Sequence, residues 1–273
     1  MKYPLHKDAD GRWVHTWVRQ SSVKTADMCL ERFRNDIFQL QPEVHTDAAT
    51  LGTVCHAVAE DALLARKAGR DESFEGMLSA FDYYWDEHGK LIQKWGSYKP
   101  EKIVGIGYSR LQSWYEQIYT NTDRPVVPQD VELDFNKLFL EDDERIVYLR
   151  GTIDLVEEDC VWDWKFPTRD YAKSKWEYER WDVQSIAYCW ATGIPNFRYG
   201  ITHPTGVSYI DLTREKSHTD WLREKVLALC QYVESSPSNP WLLGDNGWWC
   251  SEKWCSNWAQ CKGATEEVVI NGI

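Results

Sequence analysis

The order of predicted elements gives a mixed α/β fold in which a helical insertion precedes a small central sheet flanked by helices. Three observations carry that prediction. Residues 22–69 and 73–121 read as helices, residues 130–166 read as a run of β-rich segments, and a further helix, two strands and a last helix follow.

Taken in order, SVKTADMCLERFRNDIFQL (22–40) predicts one helix, capped at Thr25 with Asp27 in its first turn. A loop runs from Pro42 to Ala49. TLGTVCHAVAEDALLARKAG (50–69) predicts a second helix that ends at Gly69. Residues 73–121 are helical and rich in Trp, Tyr and Phe, with a break around Gly96 to Pro100, and Pro125 and Pro128 end the helical pattern. VELDFNKLFL, ERIVYLRGTIDLV and CVWDWKF then predict three strands. Residues 171–193 predict a helix ending at Gly193, FRYGITHP and GVSYIDLT two more strands, and 216–234 a helix. From Ser235 the chain is irregular and rich in Pro, Gly and Trp. There is no internal repeat, low-complexity tract or linker. The expected organisation is one domain over 1–262: N-terminal helices at 22–69, the helical insertion at 70–128, the sheet and its helices at 129–234, a cysteine-rich segment at 235–262, and a tail at 263–273.

Composition limits the function classes. Of 273 residues, 43% are hydrophobic and 27% charged, which is globular rather than disordered. A net charge of −12 argues against a simple electrostatic nucleic-acid binder, but not against an enzyme that uses divalent cations on DNA. Sixteen tryptophans can build a core or stack on bases. No apolar run approaches the roughly 20 residues of a membrane helix. MKYPLHKDADGRW has no apolar h-region, so the expectation is a cytoplasmic protein without membrane attachment.

The chemistry concentrates in GTIDLVEEDCVWDWK (151–165), a β-hairpin by pattern with charges inside its strands. Strand alternation puts Val161, Asp163 and Lys165 on one face and Trp162, Trp164 and Phe166 on the other. Hairpin pairing brings Asp154 beside Asp163, with Lys165 close by. Two neighbouring carboxylates repel, and a divalent cation that prefers oxygen, Mg²⁺ or Mn²⁺, removes the repulsion. A lysine on the same face orients water or neutralises charge on a phosphate. The bland alternative is an exposed Asp–Lys pair on a sheet face.

The eight cysteines divide in two groups. Cys55, Cys160, Cys189 and Cys230 stand among apolar neighbours and are expected in the core. Cys250, Cys255 and Cys261 form a C-x4-C-x5-C run, three thiolates of a tetrahedral set, and Cys29 is the candidate for the fourth.

GTID…DWK resembles the core of the PD-(D/E)xK nuclease superfamily, and in particular the RecB-like and CRISPR-adaptation exonucleases. Gly52-Thr-Val-Cys-His56, with Glu60 one turn later, resembles the G-x-x-x-H segment of an early helix. Gln184-Ser-Ile-Ala-Tyr188 resembles the Q-x-x-x-Y helix after the lysine. The ordered set H…D…DxK…QxxxY covers roughly residues 26 to 262; Ile153 stands where the superfamily pattern has proline. The resemblance implies a restriction-endonuclease-like core with a C-terminal iron–sulfur staple. It implies His56, Asp154 and Asp163 as metal ligands together with the Trp164 carbonyl, and Lys165 as the catalytic lysine. Gln184 and Tyr188 would position the substrate strand or the lysine. Cys29, Cys250, Cys255 and Cys261 would hold a [4Fe–4S] cluster, with structural Zn²⁺ as the alternative. The implied activity is a Mg²⁺/Mn²⁺-dependent DNA exonuclease acting on single-stranded or end-containing DNA in recombination, repair or phage DNA processing. Two other readings stand beside it: a catalytically weak, iron–sulfur DNA-binding subunit of a recombination or CRISPR-adaptation complex, and a zinc-stabilised hydrolase acting on something other than DNA. Arg169, Lys173, Lys175 and Arg180 are candidate phosphate contacts or simply a solvated helix face. Trp248, Trp249, Trp254 and Trp258 shield the cluster or offer a stacking surface.

Overall fold

The computed structural model describes residues 5–40, 44–169 and 182–235, and at the C-terminal end residues 250–252, 255, 258 and 261. The mixed α/β class is as predicted. The described chain has seven strands: β1 (Leu5–Lys7), β2 (Trp13–His15), β3 (Asp130–Glu141), β4 (Arg145–Val156), β5 (Val161–Lys165), β6 (Asn196–His203) and β7 (Gly206–Thr213). Its α-helices are α1 (Gln20–Met28), α2 (Leu30–Phe38), α3 (Asp47–Lys67), α4 (Phe74–His88), α5 (Pro100–Trp114), α6 (Val183–Thr192) and α7 (Lys216–Ser235). The chain forms two compact units. The first takes residues 1–43, 135–151 and 219–273, and the second residues 44–134 and 152–218. Strands β3 and β4 each run on from one unit into the other.

In the first unit β1 pairs antiparallel with β2 around a turn in which Gly11 takes a φ of +83°. β2 lies parallel to the start of β4, with Val14 opposite Ile146. Both strands are three residues long, too short for any periodicity to announce them. The predicted helix 22–40 is two helices. Cys29 is extended (φ −167°, ψ 118°) and serves both as the C-cap of α1 and the N-cap of α2. Thr25 is not the predicted cap but lies inside α1, which begins five residues earlier after Arg19, and its backbone carbonyl accepts from Cys29 N.

The second unit holds the helical insertion and the hairpin. The helix predicted from residue 50 starts three residues earlier, because Thr46 caps it by accepting from Ala49 N at 3.2 Å. Ala68 closes it ahead of Gly69 in the left-handed region at φ +76°. α5 opens on Pro100 at its first turn, where the missing N–H costs nothing. β4 and β5 are antiparallel, β5 and β6 parallel, and β6 and β7 antiparallel through eight pairs from Asn196↔Thr213 to His203↔Gly206. The described part of the helix predicted at 171–193 begins at Val183. Lys173, Lys175 and Arg180 lie outside the described residues, as do Trp248, Trp249, Trp254 and the expected tail.

The core of the second unit is where the alternation of β5 placed it. Trp162, Trp164 and Phe166 are buried against Leu51, Val54 and Val58 of α3, Phe81 of α4 and Trp114 of α5. Trp114 and Trp164 meet edge to face with centroids 5.7 Å apart. Gly200 of β6 is required there, since a Cβ would come within 2.8 Å of the Trp164 ring. Cys55, Cys160, Cys189 and Cys230 are buried, as expected of core cysteines.

Candidate active site

The candidate catalytic residues and divalent-metal ligands lie in the second unit. α3 presents His56, whose neighbours Val54, Cys55, Val58 and Ala59 are buried, leaving His56 half-buried at the core's edge. β4 presents Asp154 and β5 presents Asp163 and Lys165. The register Leu155↔Trp162 and Val156↔Val161, carried one residue further, sets Asp154 across from Asp163. α6 presents Gln184 and Tyr188 one turn apart.

These side chains meet. His56 Nδ1 lies 3.3 Å from Asp154 Oδ2. The same oxygen accepts from Trp164 N at 2.7 Å, which ties the carboxylate to the neighbouring strand. Lys165 Nζ stands 2.6 Å from Asp163 Oδ2, as an ion pair rather than an aligned hydrogen bond. Lys165 also donates to Gln184 Oε1 at 3.3 Å. The Gln184 amide donates to Asp163 Oδ1 and, at 3.2 Å, to Tyr188 Oη. Gln184 therefore connects the lysine, the second carboxylate and the tyrosine.

Burial and mutual repulsion govern the charges. Burial, then the Asp163 charge, pushes the Asp154 carboxyl well above the usual carboxylate range. Burial would push the Lys165 ammonium down, but the carboxylates of Asp163 and Asp154 outweigh it and hold the lysine charged. Burial lowers the His56 imidazole, favouring its neutral, metal-ligating form. Burial likewise raises the Tyr188 hydroxyl, with the nearby carboxylates adding to the effect.

Sequence reasoning missed Glu132 on β3. Its carboxylate, the His56 ring and the Asp154 carboxylate offer three ligand atoms, all within 4.8 Å of one another. Burial, then Asp154, pushes the Glu132 carboxyl up to about 7. Alternation within VELDF groups Glu132 with exposed Asp134, which reads as an ordinary solvated face. The strand departs from that reading at this residue, where Glu132 has a φ of +47°. A non-glycine residue in the left-handed region is strained by about 1–3 kcal/mol and is a common feature of functional sites.

The support behind Gln184 was also not legible. Asp182 caps α6, accepting from Gln184 N at 3.1 Å and Ser185 N at 3.3 Å, and takes the Tyr199 hydroxyl as well. Buried Arg214 donates to Ser185 Oγ through Nε at 3.0 Å and Nη2 at 2.7 Å. Tyr199 comes from β6 and Arg214 from the segment after β7, and no local sequence signal links these two to Gln184.

The chain matches the sequence profile of the PD-(D/E)XK nuclease superfamily over residues 18–261. It belongs to that superfamily. No curated protein matches it. Among solved structures it is similar to the crystal structure of SSO0001, at 12% identity and a TM-score of 0.31, over 67% of this chain and 94% of that one. This PD-(D/E)XK protein thus carries the sheet and flanking helices of a superfamily of metal-dependent nucleases, and its His56–Glu132–Asp154 group can hold a divalent cation. Among the described residues no helix is long and apolar enough to cross a membrane.

Cys29, Cys250, Cys255 and Cys261 all belong to the first unit, and all four are half-buried, unlike the four core cysteines. Cys255 N donates to Ser251 O at 2.8 Å.

Proposed function

We propose that this protein is a Mg²⁺- or Mn²⁺-dependent deoxyribonuclease that degrades DNA from its ends, with Asp154, Asp163, Lys165, Gln184 and Tyr188 as its catalytic group and His56, Asp154 and Asp163 as metal ligands. The observation that carries the reading is the hydrogen-bonded set Asp163–Lys165–Gln184–Tyr188 beside the paired His56 and Asp154.

The donor set fits a hard divalent cation. It consists of an imidazole and carboxylate oxygens, and its His56, Glu132 and Asp154 atoms lie within 4.8 Å of one another. Opposite ligands of a cation bonded at about 2.1 Å stand about 4 Å apart, so a small contraction closes the site. A bound cation supplies Lewis acidity to the phosphodiester and lowers the pKa of water. The remaining work falls to the chain. Lys165, held protonated by its two carboxylates, places a fixed positive charge where negative charge develops on the phosphate. Gln184 fixes Lys165 and Asp163 relative to each other, and the Trp164 N–H keeps Asp154 from rotating away.

The four-cysteine reading belongs to the same proposal. A [4Fe–4S] cluster on Cys29, Cys250, Cys255 and Cys261 would staple the two chain ends within the first unit, with Zn²⁺ as the alternative occupant. Recombination, repair and phage DNA processing are the settings such an enzyme suits.

The test is cleavage of end-labelled linear and closed circular DNA, single- and double-stranded, with Mn²⁺, Mg²⁺ or EDTA. Wild type runs beside Asp163→Ala and Lys165→Ala. The expected result is metal-dependent loss of linear DNA alone, reduced at least about 10²-fold in both variants. Equal cutting by the variants would place the chemistry elsewhere. Absence of cutting by anaerobically purified wild type would favour a DNA-binding subunit without useful catalysis.

A further inference from the structure

We propose that the loop around Trp95, in the helical insertion, forms with Arg169 a subsite for an unpaired DNA strand: Trp95 stacks on a base, and Arg169 and Lys99 hold the phosphates beside it. The inference rests on the nuclease reading above and names the form of substrate that the site accepts.

The loop between α4 and α5 is pinned to the start of α3. Gln93 N and Lys94 N donate to His45 O at 2.9 and 3.2 Å, and Asp47 N donates to Lys94 O at 3.2 Å. Gly96 N donates to Asp47 Oδ2 at 3.0 Å, and Ala48 N to the other oxygen at 2.8 Å. A Cβ at Gly96 would come within 3.2 Å of that buried carboxylate, so the close approach favours glycine. Held in this way, Trp95 is 41% exposed, and its ring stacks on no other ring among the described residues. One exposed tryptophan needs no explanation by itself. The cations beside it supply the reason to look further.

Arg169 Nη2 donates to Ser97 Oγ at 3.1 Å, and its guanidinium lies over the Tyr98 ring, 5.7 Å from the centroid. Tyr98 in turn packs on the core. Arg169 is exposed and forms no ion pair among the described residues. Residues 89–100 hold three lysines and no carboxylate, in a chain of net charge −12. Arg169 follows the D-x-K lysine by four residues, so the two Cα atoms are at most about 14 Å apart. A phosphate at Arg169 therefore lies within a few nucleotides of one at Lys165 on the same strand. An aromatic platform beside backbone-tracking cations is the pairing that binds single strands without regard to sequence. A duplex keeps its bases stacked on one another, so Trp95 favours unpaired strands.

The experiment is fluorescence anisotropy of a labelled oligo-dT strand, and of a blunt-ended duplex, with full-length anaerobically purified protein in chelator over a range of salt. Wild type is compared with Trp95→Leu, Trp95→Phe, Arg169→Gln and, as control, Tyr83→Leu, which changes an aromatic residue 66% exposed on α4. Trp95→Leu should weaken single-strand binding at least about fivefold, while Trp95→Phe, which keeps a stacking face, stays within about threefold of wild type. Arg169→Gln should reduce the slope of log K against log salt by about 0.7, the loss of one phosphate contact, and Trp95→Leu should leave that slope unchanged. Tyr83→Leu should bind as wild type does, and duplex binding should be the same in wild type and Trp95→Leu. Melting curves establish that each variant is folded, and Trp95→Gln replaces a Leu variant that is not. Wild-type affinity in Trp95→Leu overturns the proposal, as does an equal loss in Tyr83→Leu or an equal loss on duplex. An unchanged salt slope in Arg169→Gln overturns the phosphate contact. Each of these results leaves the nuclease reading standing. A wild type that binds no single strand also overturns the proposal, and the cleavage assay above then judges the nuclease reading on its own.

Discussion

His15 shows how a single buried residue ties stability to pH. Its Nδ1 accepts from Trp17 Nε1 at 2.9 Å, so the ring proton sits on Nε2 and donates to Glu234 Oε1 at 2.8 Å. A second proton has no site without breaking the Trp17 bond, and burial lowers the imidazole pKa despite the Glu234 charge. The unfolded chain takes up a proton as pH falls through about 6.5, while the folded chain does not until lower pH. The unfolded state then binds more protons, and stability falls as pH is lowered through that window. His15→Gln keeps an acceptor for Trp17 and a donor for Glu234 without the titration. Denaturant unfolding between pH 7 and 5.5 should give a shallower pH slope for the variant than for wild type; identical slopes would remove His15 as the source. At this scale the hairpin charges were legible. A period of two places Asp163 and Lys165 together wherever a strand forms, and hairpin pairing adds Asp154. Glu132 was not, because one left-handed residue breaks the period that made the others readable.

At the scale of elements, two glycines in helices of the same unit play opposite parts. A Cβ at Gly52 of α3 would meet nothing within 4 Å. At Gly107 of α5 it would come within 2.5 Å of the Phe81 ring and 2.9 Å of Leu51 Cδ1. Gly52→Ala should therefore stabilise the fold by about 0.5–1 kcal/mol through helix propensity. Gly107→Ala should destabilise it by about 1–3 kcal/mol through overpacking. Urea titrations of the two variants check both signs, and a stabilised Gly107→Ala would contradict the packing described here. Gly52 also lies one turn before His56, in the G-x-x-x-H segment. The helices themselves were readable from periodicity, but their joints were not. Val23, Ala26, Phe33 and Ile37 mark one continuous helical stripe across Cys29, and the chain nevertheless leaves the helix there. The stripe records which side is buried, not whether the backbone continues.

For the molecule as a whole, the chain interleaves two compact units from five segments, and residues of different proposed roles sort between them. The four clustered or candidate cluster cysteines fall in the first unit, and the candidate catalytic residues in the second. Metal binding to cysteines couples to folding, since the ligands are not assembled in the unfolded chain. Cys29→Ser should abolish the iron and sulfide content of anaerobically prepared protein, expected at about four of each per chain. It should also lower the melting temperature by several degrees. Zinc at about one per chain would assign the four thiolates to a structural zinc site instead. Unchanged metal content and melting temperature would show that Cys29 is not a ligand.

The sequence by itself determined the mixed α/β class, the order of strands from β3 to β7, the burial of the β5 tryptophans and the ordered set His56, Asp154, Asp163, Lys165, Gln184 and Tyr188. Each of these is written in local periodicity or in motif spacing, which act over a few residues at a time. Only the tertiary structure decided the division into two units, the short β1 and β2 strands, the Asp182–Tyr199 and Arg214–Ser185 contacts behind Gln184, and the approach of Glu132 to His56 and Asp154. Glu132 is 76 residues from His56 in the chain. Their meeting depends on where α3 packs against the hairpin and on one positive φ in β3, and neither has a signature shorter than the fold.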